Sequence, residues 1–286
     1  GVNSTSVQLA GGANTQQTFT VGTGSGDAGS YTAEVSSDND SASTGVTVQE
    51  PANFQVSFQS TNSPVVEGDT LTANVTIENT GDVQGTQTVD IGALGGDSKS
   101  VTLGSGQTTT ETFSFATSSG DAGDYTLTAV SQNDSANQAV TVLAPANFSV
   151  SIASTNSPVT EGDTLSVDAD IENVGDVQGT QTVNLSVGAL GSDSTSVQLA
   201  SGANTTETFS VGTGSGDAGS YTAEVSSDND TASTGVTVQE PANFSVSIQS
   251  TNSPVVEGQN LSVTATVTNV GDVQGTGIVD LNVVGG

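Results

Sequence analysis

The sequence predicts an all-β protein built from repeated β-sandwich modules. Apolar residues alternate with polar ones over short runs bounded by Gly, Asn, Asp and Ser, which is the pattern of strands with one buried face. The motif Pro-Ala-Asn-Phe begins at Pro51, Pro145 and Pro241, at spacings of 94 and then 96 residues. A module of that length, with about seven short strands and no helical period, fits two packed sheets. No helix of any length is expected.

The strands can be followed along each module by their inward-facing residues. Phe54, Val56 and Phe58 form the first inward face, and the next is formed by Leu71, Ala73, Val75 and Ile77. The later strands are clearest in the module that begins at Pro145, where the inward residues are Val183, Leu185 and Val187, then Phe209 and Val211, then Tyr221, Ala223 and Val225, then Val236 and Val238.

The repeat divides the chain into two whole modules, 51–144 and 145–240, and one module opened in the middle. Residues 1–50 form its C-terminal half and residues 241–286 its N-terminal half. When Val279–Gly286 is placed before Gly1–Ala10, the joined eighteen residues align with Val183–Ala200 without a gap. The prediction is that residues 1–50 of the next copy complete this module, with Gly286 beside Gly1. Two arrangements stay open: a continuous chain, or separate subunits that lend strands to each other.

The net charge of the sequence indicates the salt conditions in which the protein works and the partners that it can bind. Thirty-one acidic residues face one cation, Lys99, with no Arg or His, which leaves a formal net charge of −30. Such a surface needs dense counter-ions and indicates a hypersaline habitat. It excludes nucleic acid and anionic membranes as partners. The regular spacing of β-branched and aromatic residues argues against a disordered acidic chain, and the sequence contains no membrane span.

Catalytic chemistry is not expected. The chain has no His, Cys or Arg, so most acid-base and nucleophilic arrangements cannot form, and we predict that it is not an enzyme. Carboxylate pairs such as Asp38 and Asp40 fall in a predicted solvated hairpin turn. The clusters Glu67-Gly-Asp69 and Asp27-Ala-Gly29 offer oxygen ligands to weakly bound Ca²⁺, Na⁺ or K⁺, but their spacing matches no EF-hand. No cofactor is predicted.

Asn-x-Ser/Thr sequons point to modification. There are ten, at Asn3, Asn39, Asn74, Asn133, Asn147, Asn184, Asn204, Asn229, Asn243 and Asn260. Strand alternation turns Asn74 and Asn184 outward, whereas Asn39, Asn133 and Asn229 share one turn in all three modules. The alternative for that turn is that Asn simply tolerates a left-handed conformation. N-glycosylation would indicate an extracellular location.

The segment Asp217-Ala-Gly-Ser-Tyr221 resembles the entry to strand F of immunoglobulin domains, where a tyrosine corner forms. The match recurs at Tyr31 and Tyr125, although the core Cys and Trp of true immunoglobulin domains are missing. Three segments, Ile171-Glu-Asn-Val-Gly175, Ser201–Phe209 and Gly219-Ser-Tyr221, carry a closer resemblance. They are similar to the CARDB family of bacterial and archaeal surface proteins. This resemblance implies tandem immunoglobulin-like sandwiches in a structural or adhesive role and implies no catalytic residues.

The short connection Gln-Glu-Pro-Ala-Asn before Phe244 predicts a fixed angle between consecutive modules, because Pro241 restricts both itself and Glu240. An array of this kind forms a rod. The first functional hypothesis is a structural subunit of an extracellular filament or surface fibre of a halophilic archaeon, with its own copies or adjacent repeats as partners. The alternative is a stalk segment of a large adhesin or surface-layer glycoprotein. A carbohydrate-binding module is the third, and the lack of Trp disfavours it.

Overall fold

The protein is all-β with its sheets in a sandwich-like arrangement. A computed structural model describes residues 3–285, so the predicted junction residues Gly1 and Gly286 lie outside the described part of the chain. The described residues contain strands, one 3-10 turn at Gly188–Leu190 and no α-helix. None of them forms a helix that is long and apolar enough to cross a membrane. The chain divides between Val142 and Leu143 into two compact units.

The first unit begins with the hairpin of β1 and β2 and continues with eight strands in two sheets. One sheet has the order β3-β5-β8 and the other β4-β10-β9-β6-β7. The strands are β1 (Gly29–Ser36), β2 (Ser41–Val48), β3 (Phe54–Thr61), β4 (Val65–Val66), β5 (Thr70–Asn79), β6 (Gly85–Gly92), β7 (Asp97–Leu103), β8 (Thr108–Ala116), β9 (Gly123–Val130) and β10 (Ser135–Leu143, whose last residue falls beyond the division).

The second unit repeats this plan and ends with a hairpin of two strands. Its sheets have the orders β11-β13-β16 and β12-β18-β17-β14-β15, followed by the pair β19-β20. The strands are β11 (Phe148–Thr155), β12 (Val159–Thr160), β13 (Thr164–Asn173), β14 (Gly179–Ser186), β15 (Ser192–Leu199), β16 (Asn204–Gly212), β17 (Gly219–Ser226), β18 (Thr231–Gln239), β19 (Phe244–Thr251) and β20 (Val263–Asn269).

Each unit contains one hydrophobic core, formed by the inward side chains of its two larger sheets. The first core draws on residues 54–142 and the second on residues 148–238. The period-2 pattern is confirmed on β5, where Leu71, Ala73, Val75 and Ile77 are all buried. Phe58, predicted to face inward with Phe54 and Val56, is only partly buried because a bulge follows it in the pairing of β3 with β5.

Two local features differ from the sequence prediction. The two-residue strands β4 and β12 bring each complete module to eight strands, and β12 pairs in parallel with β18. Strands of two residues are too short for an alternation pattern to reveal. The turn at Gly188–Leu190 is helical, contrary to the expectation of no helix, and Gly188 has a φ of +55°, which glycine adopts without strain.

Candidate functional site

By the repeat spacing, the described residues near each end of the sequence correspond to part of a module. We call residues 3–50 the N-terminal half-module and residues 241–285 the C-terminal half-module. In the first, residues 3–28 form no strand and only the β1–β2 hairpin is built; in the second, only β19 and β20 are built. No residue in either described range is buried. Both halves therefore leave open the face that a complete module covers.

The repeat spacing relates each residue of a half-module to an equivalent residue in a complete module. Residues of the N-terminal half-module correspond to residues 190 positions later, and those of the C-terminal half-module to residues 96 positions earlier. Val246 is 51% exposed, whereas its equivalent Val150 is 5% exposed. Leu281 is 62% exposed, whereas Leu185 is fully buried. The exposed large apolar residues whose equivalents are buried are Val7, Leu9, Phe19, Val21, Val35, Val46, Phe244, Val246, Val255, Leu261, Val267, Val279, Leu281 and Val283.

A carboxylate joins the two halves of each complete module. Glu161 Oε1 accepts hydrogen bonds from the backbone N–H groups of Gly216 (2.9 Å) and Ala218 (2.8 Å). In the other complete module, Glu67 Oε1 accepts from Gly120 N (2.9 Å) and Ala122 N (2.7 Å). One partner always comes from the first half of the module and the other from the second half. The contact therefore depends on both halves being present.

Glu67, predicted as part of an acidic cation-binding cluster, is thus engaged by backbone amides. Among the described residues, no group of three or more acidic side chains is arranged to hold a metal ion. Asp27, from the other predicted cluster, accepts a hydrogen bond from Gly24 N at 2.6 Å within its own loop. The Asp27 contact thus lies within one loop, whereas the Glu67 contact links loops that are far apart in the sequence.

A buried asparagine provides a second link between the halves. Asn173 is fully buried, its Oδ1 accepts from Asn147 N and Gly175 N, and its Nδ2 donates to three carbonyl oxygens, those of Val177, Leu199 and Ala200. Asn79 makes the equivalent contacts in the other complete module. Sequence reasoning missed this role, because Asn before a turn looks like a loop residue.

In the C-terminal half-module, the equivalent residue Asn269 keeps only the contacts within its own half. Its Oδ1 accepts from Asn243 N and Gly271 N, and its Nδ2 donates to Val273 O at 2.8 Å. The carbonyl oxygens that correspond to those of Leu199 and Ala200 belong to Leu9 and Ala10. These two acceptors lie in the N-terminal half-module.

The three tyrosines predicted to form corners have the same geometry. The hydroxyl of Tyr31, Tyr125 and Tyr221 donates, in each case at 2.8 Å, to the carbonyl oxygen of the Asp four residues earlier. The turn around Tyr31 is therefore formed although its half-module is open.

The turn shared by Asn39, Asn133 and Asn229 lies in a hairpin and is exposed in all three cases. Asn229 Oδ1 accepts from Phe148 N at 3.2 Å and from Gln181 Nε2 at 2.6 Å, which ties the turn to β11. Asn133 makes the same two contacts with Phe54 and Gln87. In both residues the side-chain hydrogen bonds use Oδ1, and none with the described residues uses Nδ2, the atom to which an N-glycan is attached.

The other sequons differ in how far their amide nitrogens are engaged. Asn147, Asn184, Asn204, Asn243 and Asn260 are exposed. Asn74 is half-buried and its Nδ2 donates to Ser60 Oγ at 2.9 Å. Asn3 is exposed but donates to Thr20 O at 2.7 Å. Asn74 therefore offers the least accessible amide of the ten.

The connections between modules are held by a repeated pair of hydrogen bonds. Asp272 Oδ2 accepts from Glu240 N at 2.9 Å, and Asp272 N donates to Glu240 O at 3.1 Å. Asp82 makes the same pair with Glu50. A Cβ atom added at Gly271 would lie 2.0 Å from Pro241 O, so glycine is required where the connection passes. Each connection is thus docked on the module that follows it.

Charged contacts are few. Lys99 Nζ lies 3.0 Å from Glu111 Oε2, and this is the one salt bridge formed within the described residues. The same Nζ lies 5.5 Å from the centroid of the Phe113 ring. Hydrogen bonds from the Val150 amide, the Thr231 amide and the Ser149 hydroxyl lower the pKa of Asp230. The hydroxyls of Ser154 and Thr208 lower the pKa of Asp168. Backbone and hydroxyl donors stabilise these carboxylates in place of cations.

Comparisons with known proteins do not assign a family. No protein-family model matches the sequence, and no curated protein sequence matches it. Among solved structures, the chain is similar to red sea bream transglutaminase, with 14% sequence identity and a TM-score of 0.28. The matched region covers 65% of this chain and 31% of the transglutaminase chain.

Proposed function

We propose that this chain is the repeating structural unit of an extracellular filament or surface fibre of a halophilic archaeon, built as a row of immunoglobulin-like, CARDB-like sandwiches. Copies join head to tail when the C-terminal half-module of one copy packs against the N-terminal half-module of the next. We call this contact the seam. The observation behind the proposal is that each half-module exposes the apolar residues that its equivalent buries in a complete module.

The energetics favour a covered seam. Full burial of a Val, Leu or Phe side chain is worth about 1.5–3 kcal/mol, so covering a side chain that is half exposed recovers about 1 kcal/mol. Fourteen such residues lie on the two faces. The repeat matches the two faces residue by residue, which favours another copy of this chain as the occupant. An unrelated partner would lack that correspondence.

The seam can be tested with full-length chains blocked at one end. In an N-blocked chain, Phe19→Asp and Val21→Asp place charges on the open face of the N-terminal half-module. In a C-blocked chain, Val246→Asp and Leu261→Asp do the same at the other end. In concentrated salt we expect the unaltered chain to form linear oligomers, each blocked chain to stay monomeric, and the mixture to form dimers and nothing larger.

Light scattering after size-exclusion chromatography measures these states. Matched controls carry Thr32→Asp or Ser247→Asp, whose equivalents Thr222 and Ser151 are exposed in the complete module, and these should assemble like the unaltered chain. Blocked chains that assemble normally would disprove head-to-tail packing. So would an unaltered chain that stays monomeric because its own two half-modules pack together.

Experiments on native material distinguish a filament from the stalk of an adhesin or surface-layer glycoprotein. Electron microscopy would show long uniform fibres in the first case and short stalks ending in a distinct tip in the second. Denaturing electrophoresis then tests continuity. Strand-complemented subunits would separate into chains of 28.1 kDa plus any glycans, whereas a continuous chain would not.

The proposed extracellular location rests on glycosylation. We expect glycans at one or more of Asn39, Asn133 and Asn229, because these residues are exposed in the shared turn. Glycopeptide mass spectrometry of native protein measures the occupancy, and Asn74 serves as the internal comparison with an engaged amide. Unmodified peptides at all ten sequons would remove this support.

A further inference from the structure

We propose that Glu257 sets the register of the seam, with its carboxylate binding the backbone amides of Gly26 and Ala28 of a second copy. Glu257 lies 96 residues after Glu161 and 190 residues after Glu67, and Gly26 and Ala28 lie 190 residues before Gly216 and Ala218. Both complete modules contain this contact within one chain. The assignment rests on the proposed head-to-tail assembly.

The receiving loop is already formed without the carboxylate. Asp27 N donates to Gly24 O at 3.2 Å and Asp27 Oδ2 accepts from Gly24 N at 2.6 Å, and the loop at Asp217 makes the same two contacts at 3.3 and 2.6 Å. Gly26 has a φ of +87° and its equivalent Gly216 a φ of +92°. Within residues 3–285, the amides of Gly26 and Ala28 have no hydrogen-bond partner.

The turn that presents Glu257 is also formed. Gln259 N donates to Val256 O at 3.0 Å, as Asp163 N donates to Thr160 O at 2.9 Å in the complete module. Gly258 and Gly162 have φ values of +87° and +92°. The Glu257 carboxylate accepts no hydrogen bond from the described residues. Donor and acceptor are therefore both preorganised, and only a second chain is needed to bring them together.

A register-setting group is needed because the strands by themselves do not define the register. A slip of two residues keeps every apolar side chain on the inward face, since side chains alternate with a period of two. The same slip moves Glu257 about 6.6 Å along the strand direction, at roughly 3.3 Å per residue, and out of hydrogen-bonding range of both amides. The carboxylate thus distinguishes registers between which the apolar pattern does not discriminate.

The contact also suits a chain with a net charge of −30. Backbone amides are neutral partners, so binding a carboxylate needs no cation, and the chain has only Lys99. Hydrogen bonds to an ionised acceptor are stronger than neutral ones. They also do not depend on attraction between unlike ions, which concentrated salt screens.

The dimer formed by an N-blocked chain and a C-blocked chain measures how much Glu257 contributes to the affinity of the seam. The N-blocked chain retains an intact C-terminal half-module, so Glu257→Ala is introduced there, and the dimer with the C-blocked chain is followed by sedimentation equilibrium. Loss of a charge-assisted acceptor should raise the Kd of the dimer by about 10- to 100-fold. Glu257→Gln keeps a neutral acceptor and should raise the Kd less.

Asp280→Asn is the matched control, because it removes a carboxylate from the same half-module and introduces the residue found at the equivalent position, Asn184. Its Kd should change by less than about threefold. A Kd for Glu257→Ala equal to that of Asp280→Asn would overturn the assignment while leaving the seam intact. If the unaltered blocked pair does not dimerise, the proposed assembly itself is wrong, and the assignment falls with it.

Hydrogen exchange provides a direct second measurement on the same samples. The amides of Gly26 and Ala28 in the C-blocked chain should exchange freely alone and become protected on mixing with the N-blocked chain. The protection should be lost when the partner carries Glu257→Ala. Equal exchange with both partners would show that another group holds these amides.

Discussion

Replacement of Asn173 by Ala tests whether a buried polar side chain holds the two halves of a module together. The substitution removes five hydrogen bonds at once. Two of the partners that it leaves, Leu199 O and Gly175 N, lie in fully buried contacts. A buried group without a partner costs about 1–3 kcal/mol, so we expect a loss of about 2–6 kcal/mol in the free energy of unfolding. Against a typical total of about 5–15 kcal/mol, this is a large fraction.

The assay must resolve one core from the other, because a chain with two cores has no single melting temperature. Hydrogen exchange with mass spectrometry does so by peptide. Asn173→Ala should accelerate exchange in residues 148–238 and leave residues 54–142 unchanged, and Asn79→Ala should do the reverse. The unchanged core is the reference within the same sample.

Asn184→Ala is the matched control, since Asn184 is exposed and its side chain makes no hydrogen bond with the described residues. Its exchange should equal that of the unaltered chain. If Asn173→Ala and Asn184→Ala exchange alike, the buried hydrogen bonds of Asn173 do not stabilise the module.

Three further predictions concern salt, acid and the module connections. With 31 carboxylates and one cation, the melting transitions followed by circular dichroism should move steeply downward between about 3 M and 0.1 M salt, and unchanged transitions would disprove a dependence on counter-ions. Because its pKa is lowered in the folded state, Asp230 should stabilise the fold fully above the ordinary carboxyl pKa and progressively less as the pH falls through the lowered value. Asp230→Asn should therefore flatten the acid limb of a dichroism titration, whereas Asp228→Asn, whose carboxylate makes no described hydrogen bond, should not. Gly175→Ala should destabilise the linker by about 1–3 kcal/mol, since the new Cβ would lie 2.1 Å from Pro145 O. Gly212→Ala is the control, because a Cβ there meets nothing within 4 Å. Hydrogen exchange at Ala144 should become faster in the first variant alone.

Strand positions and inward faces could be predicted from sequence because they depend on local alternation. The inward residues of β5 and β14 were identified from this pattern, and Leu71, Ile77, Val183 and Leu185 are buried. The repeat spacing also identified the equivalent residues in each module. Both signals are periodic and can be recognised in the sequence without knowledge of the tertiary structure.

The polar contacts between halves could not be predicted in this way. The sequence shows Glu67 beside Asp69 in an acidic cluster, and only the fold shows that its carboxylate accepts hydrogen bonds from amides 53 and 55 residues later. Asn173 gave no sign of burial, since its partners Leu199 and Ala200 are 26 and 27 residues away. A contact between distant loops depends on how the sheets bring those loops together, and no local pattern encodes that.

The sequence by itself determined the all-β class, the module period and the chemical match between the two ends of the chain. Those features follow from side-chain alternation and from similarity between segments, both of which are visible in one dimension. The tertiary structure alone decided that the end segments expose their apolar faces and that the loops around Gly26 and Glu257 are formed in advance. The physical reason is that exposure and preorganisation depend on which groups lie nearby in space, and this is known only once the chain is folded.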